Sequence, residues 1–256
     1  MPIIKPTNKA VTRFEGLHLY HNGFSNCAMR VCLTLEEKGL SWQSHHLDIM
    51  NGEHLSQEYF GINPNGVVPT LIDNGVVIVD SADIIDYLDK KYSSNSLRPN
   101  TEQDIQAMYE WMYMARDNHL SIKTYMYYHL LNKTMKKSTT QMAQYRQLQQ
   151  ADTALLEFHE RFSSADSFSS EDIDAAASVL HQCFSKMNDR LKDNQWLVAD
   201  EFSLADIAWI SQLVILSVAK YPFDNYPHLA KWQQTIFARE SFKNGVLKWL
   251  PKKLAA

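Results

Sequence analysis

Apolar and polar positions along the 256 residues follow two different periods. "LHLY", 17–20, opens an alternating run that breaks at the polar turn "HNGFSN". Helical spacing then takes over in "CAMRVCLTLEEKG", spreading Met29, Val31, Cys32, Leu33 and Leu35 over a helix that Gly39 can end. "SWQSHHLDI", 41–49, alternates loosely and predicts a weak second strand. "TLID" and "VVIVD" are apolar or β-branched runs joined by Asn74-Gly75, the strongest short-range hairpin signal. Ser81 to Tyr92 sets Ile84, Ile85 and Leu88 on one helical face. Strand, helix, strand, hairpin and helix in that order predict a small α/β domain of βαβ-ββα type.

From Thr101 onward nothing reads as a strand. "QAMYEWMYMARDNHLSIKTYMYYHLL" and "DIDAAASVLHQCFSKMNDRLKDN" are long helical patterns rich in Met and aromatics, so an all-α C-terminal domain is expected. The polar stretch 93–104, with Pro99 and a candidate cap at Thr101, marks the boundary. The expected layout is an N-terminal extension 1–16, an α/β domain 17–92, a linker 93–100 and a helical domain 101–250. Its extended middle section, 133–177, holds a Gln-rich helix followed by a Ser-rich loop expected to be mobile. In "FSLADIA" Ser203 can cap a helix while Asp206 reaches back, which would start the apolar run 207–219.

Charge and composition then exclude function classes. A formal net charge of -4 and a pI near 6.2 describe an ordinary globular protein and leave no basic excess for a nucleic-acid partner. The longest uncharged run, "IAWISQLVILSVA", is interrupted by Ser and Gln and falls short of the ~20 residues a bilayer requires, so no membrane partner is expected. The N-terminus shows no apolar h-region or cleavage site. Together with three cysteines, an odd number, this predicts free thiols in a cytoplasmic protein. The histidines are not at metal-ligand spacing, and no metal is expected; His45 and His46, adjacent in a strand, point to opposite faces.

A few residues carry chemistry. Ser25 stands where the first helix begins, the place for an N-cap worth ~1 kcal/mol. Cys27, two residues on, would be made nucleophilic by the N-terminal amides if exposed and inert if buried against the sheet. Pro69 interrupts "VVPTLI" and is tolerable at a strand start or edge. Asp80-Ser81 opens a helix and offers an anion beside N-terminal donors.

The ordered set, "GVVP" before a strand, "DS" opening the third helix and "SLADIA" in a helical domain, resembles the cytosolic glutathione transferases over roughly 17–250. That resemblance implies a thioredoxin-like N-terminal domain, glutathione as co-substrate and, by family habit, a homodimer acting on a small hydrophobic electrophile. It makes Ser25 the hydrogen-bond donor to the glutathione sulfur, as in serine-type classes such as phi and theta. Val68 would pair its backbone with the cysteinyl part of glutathione ahead of a cis Pro69, and Asp80 and Ser81 would hold the γ-glutamyl group. Asp80 stands where the family more often has Glu. His54 matches a histidine near the glycyl carboxylate, but the lysine that usually follows is Leu55 here. The second-substrate pocket would lie against the 108–129 helix, with Tyr113, Arg116, Asp117, Tyr125 and Tyr128 as candidates. Ser25-x-Cys27 followed by "AMR" also resembles tetrachlorohydroquinone reductive dehalogenases, and the "INPNGVVP" turn the bacterial β-etherases. The alternatives are therefore dehalogenase, β-etherase or thiol-exchange chemistry using Cys27, or a non-catalytic binding protein of the same fold.

Overall fold

A computed structural model describes residues 3–132 and 134–251 of the chain. Met1 and Pro2 of the extension and Lys133 of the middle section lie outside that description. Five strands form one mixed sheet, ordered β1 (Ile3–Ile4), β5 (Val76–Val79), β4 (Thr70–Asp73), β2 (Leu17–His21), β3 (Gln43–His46). β2 runs parallel to β3 through the crossover helix α1 (Asn26–Glu37) and antiparallel to β4, with Leu19 opposite Leu71, and the single-turn helix α2 (Gln57–Phe60) lies between β3 and β4 in the chain. Alternation sends Leu17, Leu19, Leu71 and Ile78 to the face that carries α1 and α3 (Ser81–Lys91). Ile72, Val77 and Val79 fall on the other face, in a smaller core with Val11 and Tyr59. The hairpin turns at Asn74-Gly75, both at positive φ, as its sequence demands. The 1–16 segment is more than an extension: Ile3 and Ile4 pair with Ile78 and Val77 as an edge strand, too short for a pattern to announce.

The second half is helical: α4 (Glu102–Asp117), α5 (His119–Met126), α6 (Thr139–Leu148), α7 (Thr153–Ser163), α8 (Ser170–Asp193), α9 (Leu204–Val218), α10 (Pro227–Phe237) and α11 (Glu240–Gly245). Thr101 caps α4, and Ser203 with Asp206 forms the reciprocal capping box of α9. The middle section differs from its sequence reading. α7 occupies residues between the Gln-rich helix and the Ser-rich stretch, and the loop shrinks to a short turn. There Ser164 Oγ donates to Arg161 O at 2.8 Å, Ser167 Oγ donates to Phe162 O at 3.0 Å, and Ser169 caps α8.

α1 is shared by both halves. It packs against α3 on the sheet side and against α9 and α11 on the helical side. Arg30 is buried within it, its Nε donating to Ala208 O at 3.0 Å and one terminal nitrogen donating to Ser81 Oγ at 3.1 Å. At the far end Glu37 accepts both nitrogens of the Arg239 fork, at 2.6 and 2.7 Å.

Candidate functional site

The loop entering α1 is locked from several sides. Asn22 accepts the Phe24 N–H at 2.8 Å and donates its amide to Leu47 O at 2.8 Å, joining the ends of β2 and β3. Gly23 has no room for a side chain, since a Cβ there would lie 1.7 Å from the Trp249 carbonyl oxygen. Trp249 in turn stands edge-on to His21, ring centroids 4.7 Å apart. The chain therefore emerges with Ser25 as the N-cap of α1, its Oγ accepting the Ala28 N–H at 3.3 Å. Accepting that bond leaves the hydroxyl proton of Ser25 free to be donated.

Ser25 borders a cleft of about 450 Å³ between the two halves. On the sheet side the cleft is bordered by Val68 and Pro69, joined by a cis peptide, and by Asp80 and Ser81. Tyr59 and Asn63 both donate to Val67 O, at 2.7 and 2.9 Å, fixing the loop that presents Val68. Asp80, at φ 67, caps α3 by accepting the Ala82 and Asp83 N–H groups. The Ser81 hydroxyl accepts from Arg30, so its oxygen is already engaged. His54 and Leu55 border the cleft as well, and Met50 and Leu120 expose apolar surface at it.

Cys27 borders the same cleft and is half-buried, its Sγ 3.8 Å from His119 Nε2. Burial pushes the thiol up, but His119, the Arg30 guanidinium and the Ser81 hydroxyl together outweigh it and bring it down to about 6. The other two cysteines are buried, and desolvation pushes both thiols up.

The deep end carries a second group of titratable side chains. Lys123 borders the cleft with its ammonium 4.6 Å from the centre of the Phe158 ring; burial and repulsion from Lys137 bring it down to about 7. Lys137 lies 3.2 Å from His159 Nδ1, and burial lowers it to about 8. Burial together with both lysines holds His54 down to about 4 and His159 lower still, so both imidazoles are neutral at physiological pH.

Of the five candidates for the second-substrate pocket, Arg116 and Asp117 border the cleft. The three tyrosines are placed elsewhere. Tyr113 is exposed beneath the Arg116 guanidinium at 4.5 Å, Tyr125 is buried against His129 and Tyr221, and Tyr128 is exposed. For Tyr125 and Tyr128 the reason is phase. Asn118 ends α4 outside the helical region, at φ -93 and ψ 9, and α5 restarts from His119. The facing residues then become His119, Leu120, Lys123, Met126 and Tyr127, spaced three to four apart. Polarity alone selected the tyrosines, whereas helical spacing counted from the Asn118 break would have selected this face. His159 and Tyr145 reach the cleft from α7 and α6, and no local pattern marks them.

Family comparison agrees with this architecture. Residues 19–96 match the glutathione S-transferase N-terminal domain and residues 133–240 the glutathione S-transferase C-terminal domain. Glutathione S-transferase 1 of Dianthus caryophyllus is 41% identical over 92 residues, which span 36% of this chain and 40% of that protein. Glutathione S-transferase TCHQD of Arabidopsis thaliana is 23% identical over 237 residues, spanning 89% of this chain and 88% of that protein. Among solved structures, the β-etherase LigF from Sphingobium sp. strain SYK-6 superposes with a TM-score of 0.80 at 24% identity, covering 90% of this chain and 98% of that one, a likeness of fold.

Proposed function

The chain belongs to the cytosolic glutathione S-transferase superfamily, and from that premise we propose that it binds glutathione in the cleft, activates it as a thiolate at the start of α1 and directs it at a hydrophobic, aromatic electrophile. One observation carries the reading: Ser25, Val68 and Asp80, at the ends of three different strands, border a single cavity. The Ser25 hydroxyl proton and the amides at the α1 N-terminus would stabilise the sulfur anion, lowering the thiol from ~8.5 to below ambient pH. The Val68 backbone would pair with the cysteinyl unit, the Asp80 carboxylate with the γ-glutamyl ammonium, and His54 would lie toward the glycyl end. The apolar walls at Met50, Leu120 and Met126 favour an electrophile with a ring. Family habit supports a cytoplasmic homodimer.

The test is retention on immobilised glutathione followed by conjugation of chlorodinitrobenzene. Ser25→Ala should lower kcat/KM by about 10²-fold, the usual loss for one donor to a developing or stabilised anion, with glutathione still bound. Retention without conjugation would instead support a non-catalytic binding protein, and no retention would sink the proposal.

A second reading is favoured by the half-buried Cys27 thiol with His119 at 3.8 Å. A Cys27 thiolate can attack a glutathione mixed disulfide, forming a Cys27–glutathione disulfide and expelling the partner thiolate. A second glutathione thiolate then attacks that disulfide, releasing oxidised glutathione and restoring Cys27. Mass spectrometry after exposure to oxidised glutathione should find the adduct on Cys27; an unmodified Cys27 would eliminate this route.

A further inference from the structure

Lys123 and Lys137 raise a question that glutathione activation does not answer. Both are largely desolvated, yet among the described residues neither has a carboxylate within ion-pair distance. Two negative groups face Lys123 at longer range, Cys27 and Asp152, and Asp152 is engaged in capping α7 through the Leu155 N–H at 2.9 Å. An unpaired buried cation is expensive and is rarely kept without a counterion. Here two half-buried lysine amines lie close together, brought down to about 7 and about 8.

The donors around them share a direction. If the Lys137 ammonium donates to His159 Nδ1 at 3.2 Å, the proton of the neutral ring sits on Nε2, and His159 borders the cleft. Lys123 borders it too, beneath the rings of Tyr127 and Phe158, at 5.4 and 4.6 Å from its ammonium. His54 closes the same end with a buried Nδ1 that has no hydrogen-bond partner. Apart from Asp152, whose carboxylate also borders the cleft and caps α7, the set is cationic or donating, walled by the rings of Tyr127 and Tyr145, and reached through the cavity that Ser25 and Cys27 open.

We propose that this deep end is an anion subsite, built by Lys123 and His159 with Lys137 behind the His159 ring, that selects electrophiles bearing a carboxylate or phenolate on an aromatic ring. The inference deepens the proposed function and rests on it for the word electrophile, while the subsite itself rests on the lysine pair. A ring carboxylate would supply the counterion that Lys123 lacks, and its ring would lie among Met126, Tyr127 and Leu155. Unlike the Ser25 end, this end is formed mainly by the helical half, with His54 its contribution from the sheet half.

Calorimetry with 2-naphthoate and 2-naphthamide separates charge from shape, with and without saturating glutathione. The acid should bind about tenfold or more tightly than the amide at neutral pH, the scale of one charge-assisted hydrogen bond. Lys123→Met should remove most of that preference and Lys137→Met, acting through His159, part of it, each leaving the amide's affinity within about threefold, since the apolar stems are retained. Lys123→Met should melt no lower than the wild type, because it deletes a desolvated amine without a counterion. Equal binding of acid and amide by the wild-type protein would overturn the subsite. So would variants that keep the acid preference but lose glutathione affinity, which would assign the lysines to the glycyl carboxylate. Acid preference in a protein that never binds glutathione would support the subsite and sink the transferase reading.

Discussion

Ser25 and Cys27 sit two residues apart at one helix terminus, and their surroundings give them different tasks. The Ser25 oxygen is spent on the cap and retains a proton to give. Cys27 is placed to lose its proton, with His119 at 3.8 Å and the Arg30 guanidinium one turn further along α1. Iodoacetamide labelling of the native protein should therefore rise with pH through a midpoint of about 6 at Cys27, while buried Cys32 and Cys183 stay unlabelled. His119→Ala should move that midpoint up toward the ~8.5 of an ordinary thiol; a wild-type midpoint already near there would refute the depression of the Cys27 thiol by its neighbours. The same shift has a stability consequence of fixed sign. A thiol depressed in the folded state contributes stability above its unfolded value and loses it as pH falls through about 6. Between pH 8 and 5 the wild type should thus lose more urea resistance than Cys27→Ala.

At the scale of elements, the entry to α1 depends on a contact from the other end of the chain. The turn at Leu247–Trp249 crosses Gly23, and Trp249 packs on His21, His46 and Trp42. Gly23→Ala must displace backbone rather than a flexible side chain, so a loss of about 2–3 kcal/mol and a disproportionate fall in turnover are expected, read by urea unfolding and by conjugation rate. A variant as stable and active as the wild type would show that the C-terminal turn has no part in holding the Ser25 loop. The elements legible in the sequence were those with local causes: the Asn74-Gly75 hairpin, the Ser203–Asp206 capping box, and α1 ending at Gly39 with φ 63. What escaped was set by distant partners. Ile3 and Ile4 become a strand because β5 has an open edge, and Gly23 must be glycine because of a residue more than two hundred positions away. Tyr125 and Tyr128 were misplaced for a smaller reason, the phase lost at Asn118.

For the whole molecule, the position of α1 decides how the site is lost. Its inner face completes the sheet core, and its other faces are covered by α9 and α11, with Arg30 bound to Ala208, Asn26 donating to Gln212 and Arg239 clamping Glu37. Stripping the helical half would strand the Arg30 guanidinium, whose remaining hydrogen bond is to Ser81, and bare the faces of α1 that α9 and α11 cover. An unfolded helical half therefore cannot coexist with an intact Ser25 loop, and the two halves should melt as one unit despite their separate architectures. Five of the six tryptophans, at 111, 196, 209, 232 and 249, follow the sheet, so fluorescence reports mainly on the helical half. Glutathione affinity reports on the loops of the sheet half. In a urea titration the two signals should share one midpoint, and saturating glutathione should move both by the same increment. Separate midpoints, with glutathione binding surviving the fluorescence change, would mean that the sheet half holds the Ser25 loop unaided. Arg239→Met sharpens the comparison, since it cuts a clamp between the halves far from the cleft: under the shared-helix account it lowers both midpoints together and leaves the affinity for glutathione in the folded protein unchanged.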